Sequence, residues 1–371
     1  MNPLARLPDF GQSVYVDEIR RAWLFDGTMQ AFIDQDHLRG VTSNPAIFQK
    51  AIADSTDYDE QIRALAEGGL DVPAVYEAVV LEDIRRAADM FRPQWEDSAG
   101  RFGWVSLEVN PHLAHDTDGT IQEAKHLHAR LDRPNVFIKV PGTAAGVPAI
   151  RTLLTDGVPI NVTLLFGLQR YAEVHEAFLQ AMEARIEAGA APDVASVASF
   201  FLSRIDVAID PLLDDVAARN SDVAARAAHL KGQIAVANAK LAYRDYENVI
   251  ASDRWARLAE AGARPQRLLW ASTSTKNPDY DPLMYVEPLI GPDTVNTMPT
   301  ATLDAYRQQG DPAERIRERV PDAKAAMVEL AELGIDIDAV TARLEDEGID
   351  KFVQPFDALM NTLADALVPT G

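Results

Sequence analysis

Eight short runs of apolar and β-branched residues, separated by stretches of helical periodicity, constrain the fold of this chain more than any other feature. The runs are SVYVD (13–17), GVTSN (40–44), GWVSLEV (103–109), NVFIKV (135–140), INVTLLF (160–166), VASVASFFL (194–202), RLLWAST (267–273) and DTVNTM (293–298). Turn-forming residues bound each run, as in parallel strands covered on both faces. Between the fifth and sixth runs, Tyr171, Val174, Phe178, Met182 and Ile186 fall three or four apart and form one apolar stripe, which Gly189 stops. The tail reads as helices punctuated by Gly334 and Gly348.

Eight strands alternating with helices predict an α/β fold, a closed (β/α)8 barrel, against the alternative of an open doubly wound sheet. No G-x-G-x-x-G follows a strand, so nothing favours a dinucleotide-binding fold. The length fits one domain over 1–371, with a helical insertion about 45–102, extra helices about 205–266 and C-terminal helices about 311–368.

A net charge of −22 argues against nucleic acid or an anionic membrane as partner, because both need a basic face. There is no cysteine, hence no disulfide framework and no thiolate metal site. The N-terminus lacks the basic start and apolar stretch of a signal peptide, and no apolar run approaches the ~18 residues of a membrane span. The expectation is a soluble, cytoplasmic protein, monomer or homodimer. His112 and His115 follow the third strand and His126 and His128 share the next helix, but no H-E-x-x-H appears and no metal site is expected. Asp279-Tyr280-Asp281-Pro282 reads as a turn rather than a calcium loop.

In this barrel class the chemistry sits at the carboxyl ends of the strands. Those ends carry Asp17, then Thr42, Ser43 and Asn44, then Glu108 and Asn110, then Lys139. Asn161 and Thr163, Ser199 and Arg204, Ser272 through Lys276, and Asn296 with Thr297 complete the circuit. Lys139 is the most informative, because it interrupts an apolar strand: Phe137 shares its face, and Ile138 and Val140 face the other way. Burying an ammonium is costly, and the usual response is a depressed pKa that leaves a carbonyl-reactive amine. The alternative is a buried ion pair with Glu108 or Asp17, whose charges oppose that depression. Two carboxylates at strand ends also fit glycoside hydrolysis, in which a lysine between them has no necessary role. Arg204 and Lys276, beside Ser199 and Ser274 in an acidic chain, form a candidate grip for an anion such as phosphate.

The segments VYVDEIRR, GVTSNPAIF, VSLEVNP, NVFIKVPGT, INVTLLFG and SFFLSRID, in this order and spacing, resemble the transaldolase family within the Schiff-base aldolases, over roughly residues 10–210. The chain is similar to a longer bacterial subgroup with extra helices after the sixth strand. The resemblance implies Lys139 as the Schiff-base lysine and Asp17 as the acid/base at the cleaved bond. Glu108 and Thr163 match the pair that positions a catalytic water, and Asn44 and Asn161 match residues that hold a dihydroxyacetone unit. Ser199 and Arg204 match phosphate contacts, and Phe201 an aromatic near the base. Ser274 and Lys276 stand where the family commonly has a serine and an arginine; lysine keeps the charge but loses the bidentate fork.

The activity so implied transfers dihydroxyacetone from sedoheptulose 7-phosphate to glyceraldehyde 3-phosphate, giving erythrose 4-phosphate and fructose 6-phosphate, in the non-oxidative pentose phosphate pathway. It takes sugar phosphates as its small-molecule partners and needs no metal or organic cofactor. The rival readings are a simple fructose 6-phosphate-type aldolase and a non-catalytic phosphosugar-binding barrel.

Overall fold

A computed structural model describes residues 2–367 of the chain; Met1 and residues 368–371, the last of the expected C-terminal helical segment among them, lie outside it. The eight runs form eight parallel strands that close in sequence order, β1 through β8, with β8 pairing back onto β1. The strands are Gln12–Val16, Gly40–Thr42, Trp104–Glu108, Val136–Pro141, Ile160–Leu165, Ser196–Phe201, Arg267–Ala271 and Thr294–Met298. The open-sheet alternative is thereby removed. Several strands are shorter than the sequence pattern suggested: β2 stops at Thr42 because Asn44 caps the next helix, and β7 stops at Ala271, just before Ser272 with its φ of 55°.

Strand alternation sorts the barrel interior into layers. Trp104, Ser106 and Glu108 of β3 point the same way, as do Phe137 and Lys139 of β4. Trp104 stacks on Phe137 with ring centroids 4.2 Å apart, filling the amino-terminal end. Ser106, Asn161 and Ser199 form a hydrogen-bonded layer above them. Glu108 and Lys139, paired in register, form the top layer. The interior thus changes from aromatic to polar toward the carboxyl ends of the strands.

The β5–β6 ladder slips register between Val162 and Leu165, and Leu164 has φ 60°. This bulge adjoins Thr163 and re-aims the end of β5, a common device beside functional sites.

Helices Pro45–Ala53, Asp59–Glu67 and Val72–Asp97 separate β2 from β3. Helices Ser203–Arg219, Ala224–Leu230, Ile234–Ile250 and Asp253–Glu260 separate β6 from β7. Helix Leu168–Glu187 ends just before Gly189, which has φ 72°, as its stripe predicted. The expectation for Gly348 is overturned. It lies inside one continuous helix, Ile337–Leu367, and ends nothing. A Cβ there would come 3.0 Å from Leu164 Cδ2 and 3.5 Å from Arg204 Nη1, so the glycine serves close approach of this helix to the barrel mouth. The same helix packs on Pro45–Ala53, on Val72–Asp97 and on Ser203–Arg219, and so lies across the carboxyl end of the barrel. Among the described residues no helix is long and apolar enough to cross a membrane.

Candidate active site

Lys139 is buried in the barrel interior, 4% exposed. Its Nζ donates to Glu108 Oε2 at 3.0 Å and to the Ser43 carbonyl at 3.3 Å. The sequence left open whether this lysine is a nucleophile or one half of an ion pair; the contact with Glu108 is present, and Asp17 makes none. Burial pushes the Glu108 carboxyl above its ordinary range, against the opposing pull of Lys139. A carboxyl displaced in that direction is an acceptor for the lysine's proton.

Asp17 follows β1 directly. Burial raises its pKa, and Lys139 and the Thr42 hydroxyl oppose the shift. Thr42 Oγ1 donates to Asp17 Oδ1 at 2.6 Å and lies 2.6 Å from Thr297 Oγ1. Since Thr42 spends its proton on Asp17, Thr297 donates to Thr42, and the two hydroxyls fix the carboxylate's orientation. Asn44 is the N-cap of helix Pro45–Ala53: its Oδ1 accepts from the Ile47 N–H at 3.0 Å. The cap holds the side chain in place and leaves its amide N–H groups available.

Asp17, Asn44, Lys139, Ser199, Phe201, Arg204, Ser274 and Lys276 line one cavity of about 200 Å3, together with Phe352 from the C-terminal helix. Asn161, Glu108 and Thr163 are not on its lining. Asn161 accepts from Ser199 Oγ at 2.6 Å and donates to Ser106 Oγ at 3.1 Å. Ser199 therefore spends its proton on Asn161, and a phosphate contact from it requires the hydroxyl to rotate. Glu108 Oε1 and Thr163 Oγ1 are both buried and, among the described residues, have no hydrogen-bond partner. Two orphaned oxygens of this kind suit an ordered water.

On the same lining, the guanidinium carbon of Arg204 lies 5.3 Å from the Phe201 ring centroid, and its buried Nη1 is unpartnered among the described residues. Burial lowers the Arg204 pKa against Asp17 and Glu108, yet a guanidinium stays charged. Lys276 donates to Ser274 Oγ at 2.6 Å, which frees the serine proton for a ligand. Burial, then repulsion from Arg204, lowers the Lys276 pKa, so the two cations face one space. Two cations with an unfilled donor suit a dianion.

Sequence reasoning missed Phe352 as a site residue and gave Thr42 and Thr297 no role. Thr42 was legible, since it ends the second strand two residues before Asn44. Phe352 was not: it falls in the apolar stripe of a helix and reads as core.

Fold and site together define a parallel (β/α)8 barrel whose cavity is lined by an amine, a carboxyl group and two cations, with a second carboxyl group bonded to the amine, a constellation suited to imine chemistry on a phosphorylated carbonyl compound. The chain belongs to the transaldolase/fructose-6-phosphate aldolase family, whose profile matches residues 14–363. It is 45% identical to transaldolase 2 of Nostoc sp. (strain PCC 7120) over 369 residues, 98% of this chain and 97% of the relative. It is 47% identical to the transaldolase of Mycobacterium tuberculosis (strain H37Rv) over 363 residues, 97% of this chain and 96% of that one. The transaldolase of Frankia alni is 46% identical over 372 residues, 100% of this chain and 99% of its own length.

Proposed function

We propose that this chain is a transaldolase that moves a dihydroxyacetone unit from sedoheptulose 7-phosphate to glyceraldehyde 3-phosphate through an imine on Lys139, in the non-oxidative pentose phosphate pathway. The observation that carries the reading is the single cavity lined by Lys139, Asp17, Arg204 and Lys276. That arrangement supports a binding mode with the carbonyl of a phosphoketose at the amine and its phosphate at the cations.

Lys139 passes a proton to Glu108 and attacks the ketose carbonyl carbon; the carbinolamine loses water to give the iminium. Asp17, as carboxylate, takes the proton of the fourth-carbon hydroxyl. The bond between the third and fourth carbons breaks, its electron pair flows into the iminium, and the aldose leaves. The enamine then attacks the second aldehyde, Asp17 returns the proton, and water held between Glu108 and Thr163 hydrolyses the new imine. Asn44 and Asn161 hold the three-carbon unit, Ser274 and Ser199 supply hydroxyls to the phosphate, and Phe201 buttresses Arg204. The chain acts in the cytoplasm as one barrel unit spanning 1–371, as monomer or homodimer.

Borohydride added with fructose 6-phosphate should fix a three-carbon adduct on Lys139. Peptide mapping that finds the label elsewhere, or none, rejects the reading. A second reading, a fructose 6-phosphate aldolase, is favoured by the family's shared description. Free dihydroxyacetone released without an acceptor aldehyde distinguishes it.

A further inference from the structure

The two cations of the substrate cavity come from different segments. Arg204 lies near the start of helix Ser203–Arg219. Lys276 and Ser274 lie on the long segment between β7 and β8, residues 272–293, which holds only one short 3-10 helix, Glu287–Leu289. Connections this long with so little regular structure are uncommon in a compact domain and are usually functional. Among the described residues Lys276 bonds only to Ser274, on the same segment. Burial, then repulsion from Arg204, lowers the Lys276 pKa, so the segment brings its ammonium toward a like charge. Contacts outside the cavity must hold it there.

Those contacts run to the helix that carries Arg204. At its start, the Ser203 N–H donates to the Ser272 carbonyl at 3.1 Å, and the two side-chain oxygens lie 2.8 Å apart. Further along, Asp206 Oδ2 accepts from the Tyr285 hydroxyl at 2.9 Å, and Asp210 Oδ2 accepts from the Tyr280 hydroxyl at 2.6 Å. Asp206 and Asp210 stand at i and i+4 and share one face of the helix. The other oxygen of each accepts from the turn that leads into helix Ile234–Ile250: Asp206 from the Ala235 N–H at 2.8 Å, Asp210 from the Gly232 N–H at 3.0 Å. Gly232 has φ 69°, and a Cβ there would come 2.9 Å from Tyr280 Cζ, so the phenol ring lies against bare backbone. The Tyr285–Asp206 pair is buried and anchors the later part of the segment. Tyr280 is half-buried and nearer Lys276, in the Asp279–Pro282 turn. That turn is set locally: Asn277 Oδ1 accepts from the Asp279 N–H at 3.0 Å, and Asp281 Oδ1 from the Leu283 N–H at 2.8 Å. A turn stiffened in this way carries the placement of Tyr280 back to Lys276.

We propose that Asp210 and Tyr280 are positioning residues of the phosphate grip: their hydrogen bond sets how far Lys276 and Ser274 stand from Arg204. The inference rests on the phosphate grip proposed above. Neither residue lines the substrate cavity, so neither touches the sugar. Loosening the bond lets the two cations move apart. That weakens the hold on a phosphate and leaves the imine chemistry at Lys139 unaltered.

Three variants test this. Tyr280→Phe removes the hydroxyl and keeps the ring on Gly232. Asp210→Ala removes both bonds to the carboxylate. Asp210→Asn can keep both, with Oδ1 accepting from Gly232 and the amide donating to the Tyr280 oxygen. The readout is capture of an acceptor aldehyde by enzyme loaded with dihydroxyacetone, with glyceraldehyde 3-phosphate compared against unphosphorylated glyceraldehyde. In Tyr280→Phe and Asp210→Ala, KM for glyceraldehyde 3-phosphate should rise about tenfold, with kcat within about twofold of the parent. Inorganic phosphate should lose potency as an inhibitor in parallel. With glyceraldehyde, kcat/KM should stay within about twofold of the parent, and Asp210→Asn should recover most of the phosphate affinity. A parental KM for glyceraldehyde 3-phosphate in Tyr280→Phe, or equal losses with the two aldehydes, overturns the proposal. An unaltered enzyme that neither prefers glyceraldehyde 3-phosphate nor is inhibited by phosphate instead removes the grip reading itself, so the two failures are distinguishable.

Discussion

The ring centroid of Phe352 lies 5.2 Å from Nζ of Lys139. One residue belongs to β4 and the other to the C-terminal helix Ile337–Leu367. The same ring lies 5.9 Å from the guanidinium carbon of Arg204, so one aromatic side chain borders both the amine and the guanidinium. Replacing a packed phenylalanine by alanine costs about 3–5 kcal/mol at a fully enclosed site. Phe352 borders a cavity, so Phe352→Ala should lose stability at or below the low end of that range in urea unfolding. It should also lower kcat severalfold by admitting water beside the amine, while Phe352→Leu recovers most of both losses. Gly348→Val should mimic the kinetic defect, since its side chain would push the helix off Leu164 and Arg204.

Lys139→Arg keeps a cation beside Glu108 but removes an amine able to form an imine. Turnover should fall by at least about 10⁴-fold, as expected for loss of a covalent nucleophile, with no borohydride adduct. A variant that still turned over phosphoketoses at more than a hundredth of the parental rate would leave the mechanism without its nucleophile.

Arg204→Ala removes a buried, otherwise unfilled donor from the anion grip. A charged hydrogen bond is worth about 1.5–3 kcal/mol, so KM for fructose 6-phosphate should rise roughly 10- to 150-fold. Inorganic phosphate should lose potency as an inhibitor in parallel. Lys276→Arg, which restores a fork at that position, should change KM by less than about threefold.

Asp17 must be ionised to accept the hydroxyl proton, and burial raises its pKa. Activity should therefore fall on the acid side, with a limb above the ordinary aspartate range. Thr42→Val removes a donor that favours the carboxylate, so the limb in kcat/KM should move to still higher pH. A limb left in place by Thr42→Val would show that another group sets it.

Asp206, outside the cavity, accepts from the Ala235 N–H and the Tyr285 hydroxyl, and burial pushes its carboxyl up to about 7. A raised folded-state value means the fold binds the proton more tightly than the unfolded chain. That contribution is whole below the unfolded aspartate value and is lost as pH rises through about 7. Asp206→Asn cannot ionise, so relative to the parent it should be more stable at pH 8 than at pH 5. The upper limit of the gain is about 4 kcal/mol, reached in full only between pH values outside the two pKa values. Thermal melts of both proteins at the two pH values measure it; parallel curves would deny Asp206 this role.

The strand pattern and the chemistry-bearing residues were legible in the sequence because both are local. Period-two burial writes a strand into five or six residues, and a lysine within such a strand is conspicuous wherever it lies. The position of strand ends was less legible, because Asn44 belongs to a helix cap and Ser272 to a left-handed turn, and both are settled by neighbours. Gly348 was misread because a glycine in a helical pattern looks the same whether it ends the helix or admits a neighbour. Only the fold shows Leu164 and Arg204 pressed against it.

The sequence alone determined the eight-strand alternation and the side chains offered at the strand ends: Lys139, Asp17, Glu108 and the two cations. Tertiary structure alone decided which of them share a cavity. It left Glu108 and Asn161 off the cavity lining, bonded to Lys139 and Ser199, and brought Phe352 onto it. The physical reason is that chain identity and periodicity act over a few residues, whereas a cavity wall is assembled from strands and helices whose relative placement depends on packing between segments hundreds of residues apart.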